Sequence, residues 1–277
     1  MTIGQQYLAC QRWLGVGSVD LYGIQQLMID HLKLSSIHDL LTQLDHSMVK
    51  EDMFLAKFER LKLGEPVAYI IGRTTFVNLT LKVNSDVLIP RPETEELVTH
   101  ILQSLPLTPP RKVIDIGTGS GAIALALKHQ RPSWTVIATD ISEHALSVAK
   151  DNATFHQLDI DFYHGDGFKA IANQIPFQSI DLVVSNPPYV ASLDALDPSV
   201  KQFEPHMALL ANPQTKFYQQ YLTEAKPYLT RHAIFAFEIA PELVDPLTIM
   251  VPKIYPSASL KLLSDINQKI RMLMIYT

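Results

Sequence analysis

Cysteine is nearly absent from this chain: Cys10 is the only one in 277 residues. A single thiol excludes an internal disulfide and any cysteine-built zinc site, and it fits a reduced, cytoplasmic setting. Long apolar runs are missing too. No stretch of about 18 apolar residues occurs, so neither a transmembrane helix nor a membrane partner is expected. The first residues, MTIGQQYLACQRWL, lack the charged start and unbroken apolar core of a signal peptide. Charge is sparse, at 18% of residues with a net −5. Wholesale disorder is therefore not expected, and no basic excess suggests a grip on a phosphate backbone. The ten histidines show no metal-ligand spacing such as HExxH around His129, His156 or His164, so no metal is expected. A nucleophile elbow, a phosphate-loop lysine, a kinase signature set, internal repeats and low-complexity tracts are all lacking.

What is present suits one full-sized domain and a smaller one. Residues 1–72 read as helices alone. Asp20 is placed to cap LYGIQQLMIDHL, and Ser35 or Ser36 to cap IHDLLTQL. Residues 73–89, TTFVNLTLKVNSDVLIP with Arg73 before them, alternate and carry a turn signal at Asn84-Ser85-Asp86. They predict a linking β-hairpin. From residue 90 a helix begins in the acidic PETEEL. Strand and helix patterns then alternate through KVIDI, TVIATD, DIDFYHGD, IDLVVSN and AIFAFEI, ending in SLKLL and IRMLMIY. Short Val/Ile-rich runs between helices predict an α/β fold, a doubly wound and mostly parallel seven-stranded sheet over 90–277. Such sheets bind ligands at the carboxyl ends of their strands.

Every motif falls at such an end. The first strand runs into DIGTGSGA, Asp115 to Ala122. Its glycines allow a sharp turn and close backbone approach, and the next helix offers free N–H groups. Gly117, Gly119 and Ala122 also satisfy a loose dinucleotide pattern, so the loop alone leaves nicotinamide or flavin cofactors and S-adenosyl-L-methionine open. Asp115 favours the latter, because a carboxylate there suits an ammonium group and not a pyrophosphate. Asp140 ends the second strand, where an acid accepts ribose hydroxyls. Asp166 and Gly167 end the third, where a carboxylate can accept from an adenine amino group, and Phe168 is a candidate to pack on the ring.

The fourth strand ends in SNPPYV, Ser185 to Val190. A planar nitrogen with two hydrogens needs two acceptors. The Asn186 side-chain oxygen and a backbone carbonyl, that of Pro187, can supply them. Pro187 and Pro188 make the corner rigid, and Tyr189 offers a face for a planar group. Pinning the nitrogen in line with a transferable methyl group is orientation and electrostatics, and it requires no strong base.

This set resembles the S-adenosylmethionine-dependent methyltransferases that act on planar nitrogens. With GEPVAYIIG, IPRPETEELV, DIGTGSGAIALAL, SNPPYV and FEPHMAL together, the chain resembles the HemK/PrmC family, which methylates the glutamine of the Gly-Gly-Gln loop in peptide chain release factors. The resemblance implies a class I methyltransferase fold and a cytoplasmic monomer with release factors as partners and no direct nucleic-acid binding. It implies a cofactor site at Asp115, Gly117, Thr118, Gly119, Ser120, Gly121, Asp140, Asp166, Gly167 and Asn186. It makes Asn186, Pro187 and Tyr189 catalytic, with Pro188 completing the substrate corner. Ile89 to Glu95 would wall the cofactor pocket, and the helical front would dock the substrate. The family often has an aromatic where this chain has Gly167, and Phe168 is the expected substitute. A nucleic-acid amino-group methyltransferase is the alternative chemistry, and a non-enzymatic adapter the third reading.

Overall fold

The computed structural model describes residues 1–17 and 19–277. They divide into two compact units, Met1–Arg73 with Asp194–Glu204, and Thr74–Leu193 with Pro205–Thr277.

The first unit is helical: α1 Ile3–Gln11, α2 Leu21–Leu32, α3 Ile37–Thr42, α4 Glu51–Lys62 and α5 Val67–Ile71. Polar caps set the starts. Thr2 and Gln5 form a reciprocal capping box on α1, the Asp20 side chain accepts from Gly23 N, and Ser36 Oγ accepts from Asp39 N at 3.2 Å. The inward faces bury Ile3, Ile24, Leu27, Met28, Leu40, Phe54, Phe58 and Leu61 around one core. Cys10 belongs to that core, and burial pushes its thiol up to about 11. It is a packing residue, not a nucleophile.

A hairpin follows, β1 Arg73–Phe76 and β2 Leu79–Lys82. Its turn is not at Asn84-Ser85-Asp86. The chain reverses at Val77 and Asn78, which both have positive φ, 44° and 64°, as two-residue hairpin loops require. Asn78 tolerates that region, whereas β-branched Val77 is an unusual occupant, so the signal was easily overlooked. Asn84 instead folds locally, its Oδ1 accepting from Asp86 N at 3.0 Å.

The seven-stranded sheet comprises β3 Lys112–Ile116, β4 Thr135–Asp140, β5 Asp161–His164, β6 Ile180–Ser185, β7 Leu229–Glu238, β8 Ser259–Ser264 and β9 Ile270–Tyr276, in the order β5-β4-β3-β6-β7-β9-β8. β3 to β7 run parallel, and β9 is antiparallel to β7 and β8. Successive residues of a strand point to opposite faces. Val113 therefore joins a core with Leu97, Ile101, Leu125 and Trp134, and Ile114 a second core with Phe235, Tyr218 and Leu222. The covering helices are α6 Pro92–Ser104, α7 Ala122–Gln130, α8 Glu143–Phe155, α10 Lys216–Glu224 and α11 Val244–Ile254. The winding direction reverses between β3 and β6, so their carboxyl ends flank the crevice where such folds bind ligands.

The expected single span 90–277 has an exception. Asp194–Glu204, containing α9 Pro198–Phe203, groups with the helical unit, and the Phe203 ring lies against Gly64. Nothing in the local pattern of this segment separates it from its flanks, because the grouping arises from tertiary packing. No described helix is long and apolar enough to cross a membrane. Among the described residues, no cluster of three His, Cys, Asp or Glu could hold a metal.

Candidate active site

The loop after β3 is held by backbone bonds to its neighbour strand. Gly117 N and Thr118 N both donate to Thr139 O, at 2.9 and 3.0 Å. Gly117 and Gly119 have φ of +72° and +57°, and a Cβ added to either would meet nothing within 4 Å. Their open face is turned to free space. Gly121 is different: at φ +84°, its added Cβ would run into Leu125 and Ala149, so here glycine permits close helix packing. Ser120 is buried, and its carbonyl accepts from Asn152 Nδ2 at 2.9 Å.

Beneath this loop Asp115 is fully buried. Its Oδ2 accepts from Thr118 Oγ1 at 2.6 Å and from Ala124 N at 3.2 Å, while Oδ1 has no partner. Burial pushes its carboxyl up to about 7, against the pull of those two donors. An orphaned carboxylate oxygen at this depth asks for a cationic or hydrogen-bonding ligand.

Asp140 holds the loop from the other side. Gly119 N donates to its Oδ2 and Ser142 N to its Oδ1, both at 2.9 Å. Burial raises its pKa, and these backbone donors oppose the rise. Asp166 has burial pushing its pKa up, but the bonds from Lys169 Nζ at 2.9 Å and Gln220 Nε2 at 2.8 Å outweigh it and the net shift is downward.

A cavity of about 560 Å³ joins these groups. Gly117, Gly119, Asp140, Asp166, Gly167, Asn186 and Pro188 all line it. Asp115, Thr118, Ser120, Gly121, Pro187 and Tyr189 are not part of that lining. Two further placements differ from the sequence reading. Phe168 faces the core, 2% exposed, and stacks on Tyr228 with centroids 5.4 Å apart. The cavity's aromatic wall comes from α10 instead, through Phe217 and Tyr221. A five-residue 3₁₀ segment after Asp166, Gly167–Ile171, turns Phe168 inward, and nothing in DGF signals that rotation. Asp86, Val87 and Leu88 also line the cavity, just ahead of the expected Ile89 to Glu95, none of which does.

The NPPY corner is anchored at both ends. Ser185 Oγ donates to Ile116 O at 2.6 Å, tying the end of β6 to that of β3. Beyond the corner, Val190 N donates to Leu209 O at 2.9 Å, and Gln214 Nε2 to Tyr189 O at 2.7 Å. Asn186 is half-buried. Its Nδ2 donates to Thr94 Oγ1 at 3.1 Å, and Thr94 Oγ1 donates to Glu238 Oε2 at 2.6 Å. Tyr189 OH donates to Glu238 Oε1 at 3.2 Å, and Tyr218 OH to the Glu238 carbonyl at 2.8 Å. Burial lifts the Glu238 carboxyl to about 6, with Thr94 and Tyr189 pulling it down. Burial likewise raises the Tyr189 phenol, helped by the negative Glu238, so this hydroxyl stays a donor.

The sequence reading assigns no site role to Glu238, Phe217 or Tyr221, and it places Thr94 within the Ile89 to Glu95 cofactor wall, whereas Thr94 is bonded to the NPPY corner through Asn186 and is not part of the cavity lining. A signal existed for one of them: Glu238 is the lone acid ending the apolar AIFAFEI run.

The donor set fits S-adenosyl-L-methionine. It combines an unpartnered buried carboxylate for an ammonium, a loop with an open face, and a strand-end carboxylate for a diol. Aromatic and aliphatic walls give a flat ring a place to lie.

The chain is similar to known proteins over most of its length. Residues 94–204 match the family "Methyltransferase small domain". The release factor glutamine methyltransferase of Enterococcus faecalis is 39% identical over 226 residues, covering 80% of each chain. That of Bacillus subtilis is 36% identical over 245 residues, covering 84% of this chain and 83% of its own. A solved methyltransferase from Pyrococcus furiosus superposes with a TM-score of 0.53 at 18% identity, over 72% of this chain and 88% of that one. At that identity the likeness concerns the fold alone.

Proposed function

This chain belongs to the release factor glutamine methyltransferase family, and on that premise we propose that it methylates the side-chain amide nitrogen of the glutamine in the Gly-Gly-Gln motif of peptide chain release factors. It is an S-adenosyl-L-methionine-dependent methyltransferase. The observation that carries the proposal is that Asn186 and Pro188 of the NPPY corner line the same cavity as the glycine loop and Asp140. A planar nitrogen held by that corner therefore shares a chamber with the cofactor site.

When bound, S-adenosyl-L-methionine supplies an electrophilic methyl group on a sulfonium. The residues around it bind and orient. Asp115, buried beneath the glycine loop and off the cavity lining, would balance the ammonium charge from behind the loop, and the backbone of Gly117 and Gly119 would let the ligand approach closely. Asp140 accepts from the ribose hydroxyls, while Asp166 and Gly167 lie beside the adenine. Asn186 Oδ1 and the Pro187 carbonyl accept the two hydrogens of the target amide. An amide nitrogen is a poor nucleophile because its lone pair is delocalised into the carbonyl. Drawing both hydrogens toward fixed acceptors favours a pyramidal nitrogen, and the preorganised corner requires no reorganisation at the moment of transfer. The methylated nitrogen is then cationic and strongly acidic. It releases one of its two hydrogens as a proton to water after transfer, so no strong base is required. Pro188 and Tyr189 keep the corner rigid.

In this reading the chain acts as a cytoplasmic monomer on a protein substrate, without gripping nucleic acid directly, in keeping with its net charge of −5. The helical unit docks the release factor. It carries Trp13, Leu14 and Tyr22 exposed on its surface, and aromatic residues with apolar neighbours are the usual anchors of protein recognition.

The test is mass spectrometry of a purified, unmethylated release factor after incubation with the chain and S-adenosyl-L-methionine. One added methyl on the Gly-Gly-Gln glutamine is expected. An unmodified factor, alongside methyl transfer to RNA or DNA amino groups, would replace this reading with the nucleic-acid one.

A further inference from the structure

Resting on the functional reading above, we propose that Thr94 and Glu238 are positioning residues that decide which end of the Asn186 amide faces the target nitrogen. The two ends of an asparagine amide are nearly the same size but opposite in function. With the oxygen toward the cavity, Asn186 accepts a hydrogen from the target. With the amino group there, it would set two donors against each other, and the target could not be held.

The polarity is imposed from behind. An ionised carboxylate only accepts, so Glu238 Oε2 requires the Thr94 hydroxyl to donate to it, at 2.6 Å. Thr94 Oγ1 then has only lone pairs left to offer. The one end of Asn186 that can answer is Nδ2, which lies 3.1 Å away. Asn186 Oδ1 is thereby left for the cavity that Asn186 lines. Thr94 and Glu238 are 4% and 1% exposed, so bulk water does not compete for these bonds. The other carboxylate oxygen takes the Tyr189 hydroxyl at 3.2 Å. A single buried carboxylate therefore sets both the amide and the ring of the same corner. The device spans three elements: the first turn of α6, the loop after β6 and the end of β7.

Neither residue touches the reacting atoms, so the test separates positioning from mere structure. The wild type, Thr94→Val, Thr94→Ser and Glu238→Met are compared on unmethylated release factor. kcat and KM are measured for each, and cofactor Kd is read separately by calorimetry. Thr94→Val keeps the shape and loses the relay. It is expected to lower kcat by about 10- to 100-fold, with KM and cofactor Kd within about twofold of wild type. Thr94→Ser restores the hydroxyl and is expected to rescue kcat to within about threefold. Glu238→Met removes a buried charge that resists ionisation, so it guards the test should Thr94→Val fail to fold. It is expected to lose kcat as Thr94→Val does. Wild-type kcat in either Thr94→Val or Glu238→Met overturns the proposal, as does a Thr94→Ser that stays as slow as Thr94→Val. A wild type that transfers no methyl to the release factor overturns the functional reading, and this inference falls with it.

Discussion

Asn186 and Thr94, 92 residues apart in the chain, are joined by a hydrogen bond of 3.1 Å between Nδ2 and Oγ1. The bond links the corner after β6 to the first turn of α6. It makes the amide of Asn186 part of a fixed frame and not a free rotor. Preorganisation of this kind is what a reaction without a strong base depends on, since orientation must then supply much of the barrier reduction.

Asn186→Ala removes the proposed acceptor of the target amide but leaves the glycine loop, Asp115 and Asp140 as they are. Turnover is expected to fall by about 100-fold or more, with cofactor affinity measured by calorimetry nearly unchanged. Equal losses in both would place Asn186 in cofactor binding and not in amide positioning.

Asp140 has one backbone donor on each oxygen, from Gly119 and Ser142. Asp140→Ala therefore removes a support of the loop as well as the proposed acceptor for the ribose diol. Cofactor Kd is expected to rise by about tenfold or more, since each lost charged hydrogen bond costs about 1.5–3 kcal/mol. Unaltered binding by calorimetry would contradict the assignment.

Two glycines of one loop are expected to fail differently. Gly121→Ala forces a side chain into Leu125 and Ala149 at φ +84°. It should cost about 1–3 kcal/mol of stability, read as a lower midpoint in denaturant. Gly119→Ala meets no protein atom within 4 Å, so its cost is limited to backbone strain of about 1 kcal/mol. Its added methyl points into ligand space, and the larger effect should appear in cofactor Kd. A reversed pattern would mean that the open face of the loop is not the binding face.

The sequence makes the centre of this molecule legible and its margins less so. That the glycine loop, Asp140, Asp166 and Asn186 meet around one cavity is legible because each lies at or just after a strand end, and an α/β sheet gathers strand ends at one edge. Caps such as Asp20 and Ser36 were readable because capping is local chemistry. The direction Phe168 faces is not legible because the five-residue 3₁₀ segment Gly167–Ile171 decides it, and packing sets that segment. The hairpin reversal at Val77-Asn78 was masked by a stronger polar cluster a few residues later. The pairing of Thr94 with Glu238 is not legible in the sequence because they lie 144 residues apart, and only the folded sheet makes them one site. The segment Asp194–Glu204 joins the helical unit through tertiary contacts that no local pattern announces.

Phe217 takes up the wall that Phe168 was expected to provide. Phe217→Ala should weaken cofactor binding by about 1 kcal/mol, near fivefold in Kd, while Phe168→Ala should instead cost about 3–5 kcal/mol of stability as a core truncation. Calorimetry and thermal unfolding on the two variants separate the roles. A Phe168→Ala that stays stable but loses the cofactor would restore the sequence expectation.

Asp115 yields a pH dependence whose sign follows from its burial. Its folded pKa is raised from 3.8 to about 7, so the folded chain holds this proton more tightly than the unfolded chain does. As pH rises from about 4 to 7 the unfolded carboxyl has already ionised, and the folded state loses relative stability until about pH 7, after which the loss is constant. Asp115→Asn removes that liability and preserves an acceptor for Thr118 and Ala124. Without cofactor, the variant should exceed wild type at pH 8 by more than about 1 kcal/mol, or about 2 °C in Tm, and the gap should close toward pH 4. Cofactor binding runs the other way. An ammonium ligand prefers the ionised carboxylate, so wild-type affinity should strengthen from pH 5.5 to 7, by roughly tenfold per unit at most. Asp115→Asn should bind weakly and with a flat profile. A wild-type affinity independent of pH over that range would show that the Asp115 carboxylate does not act on the ammonium group.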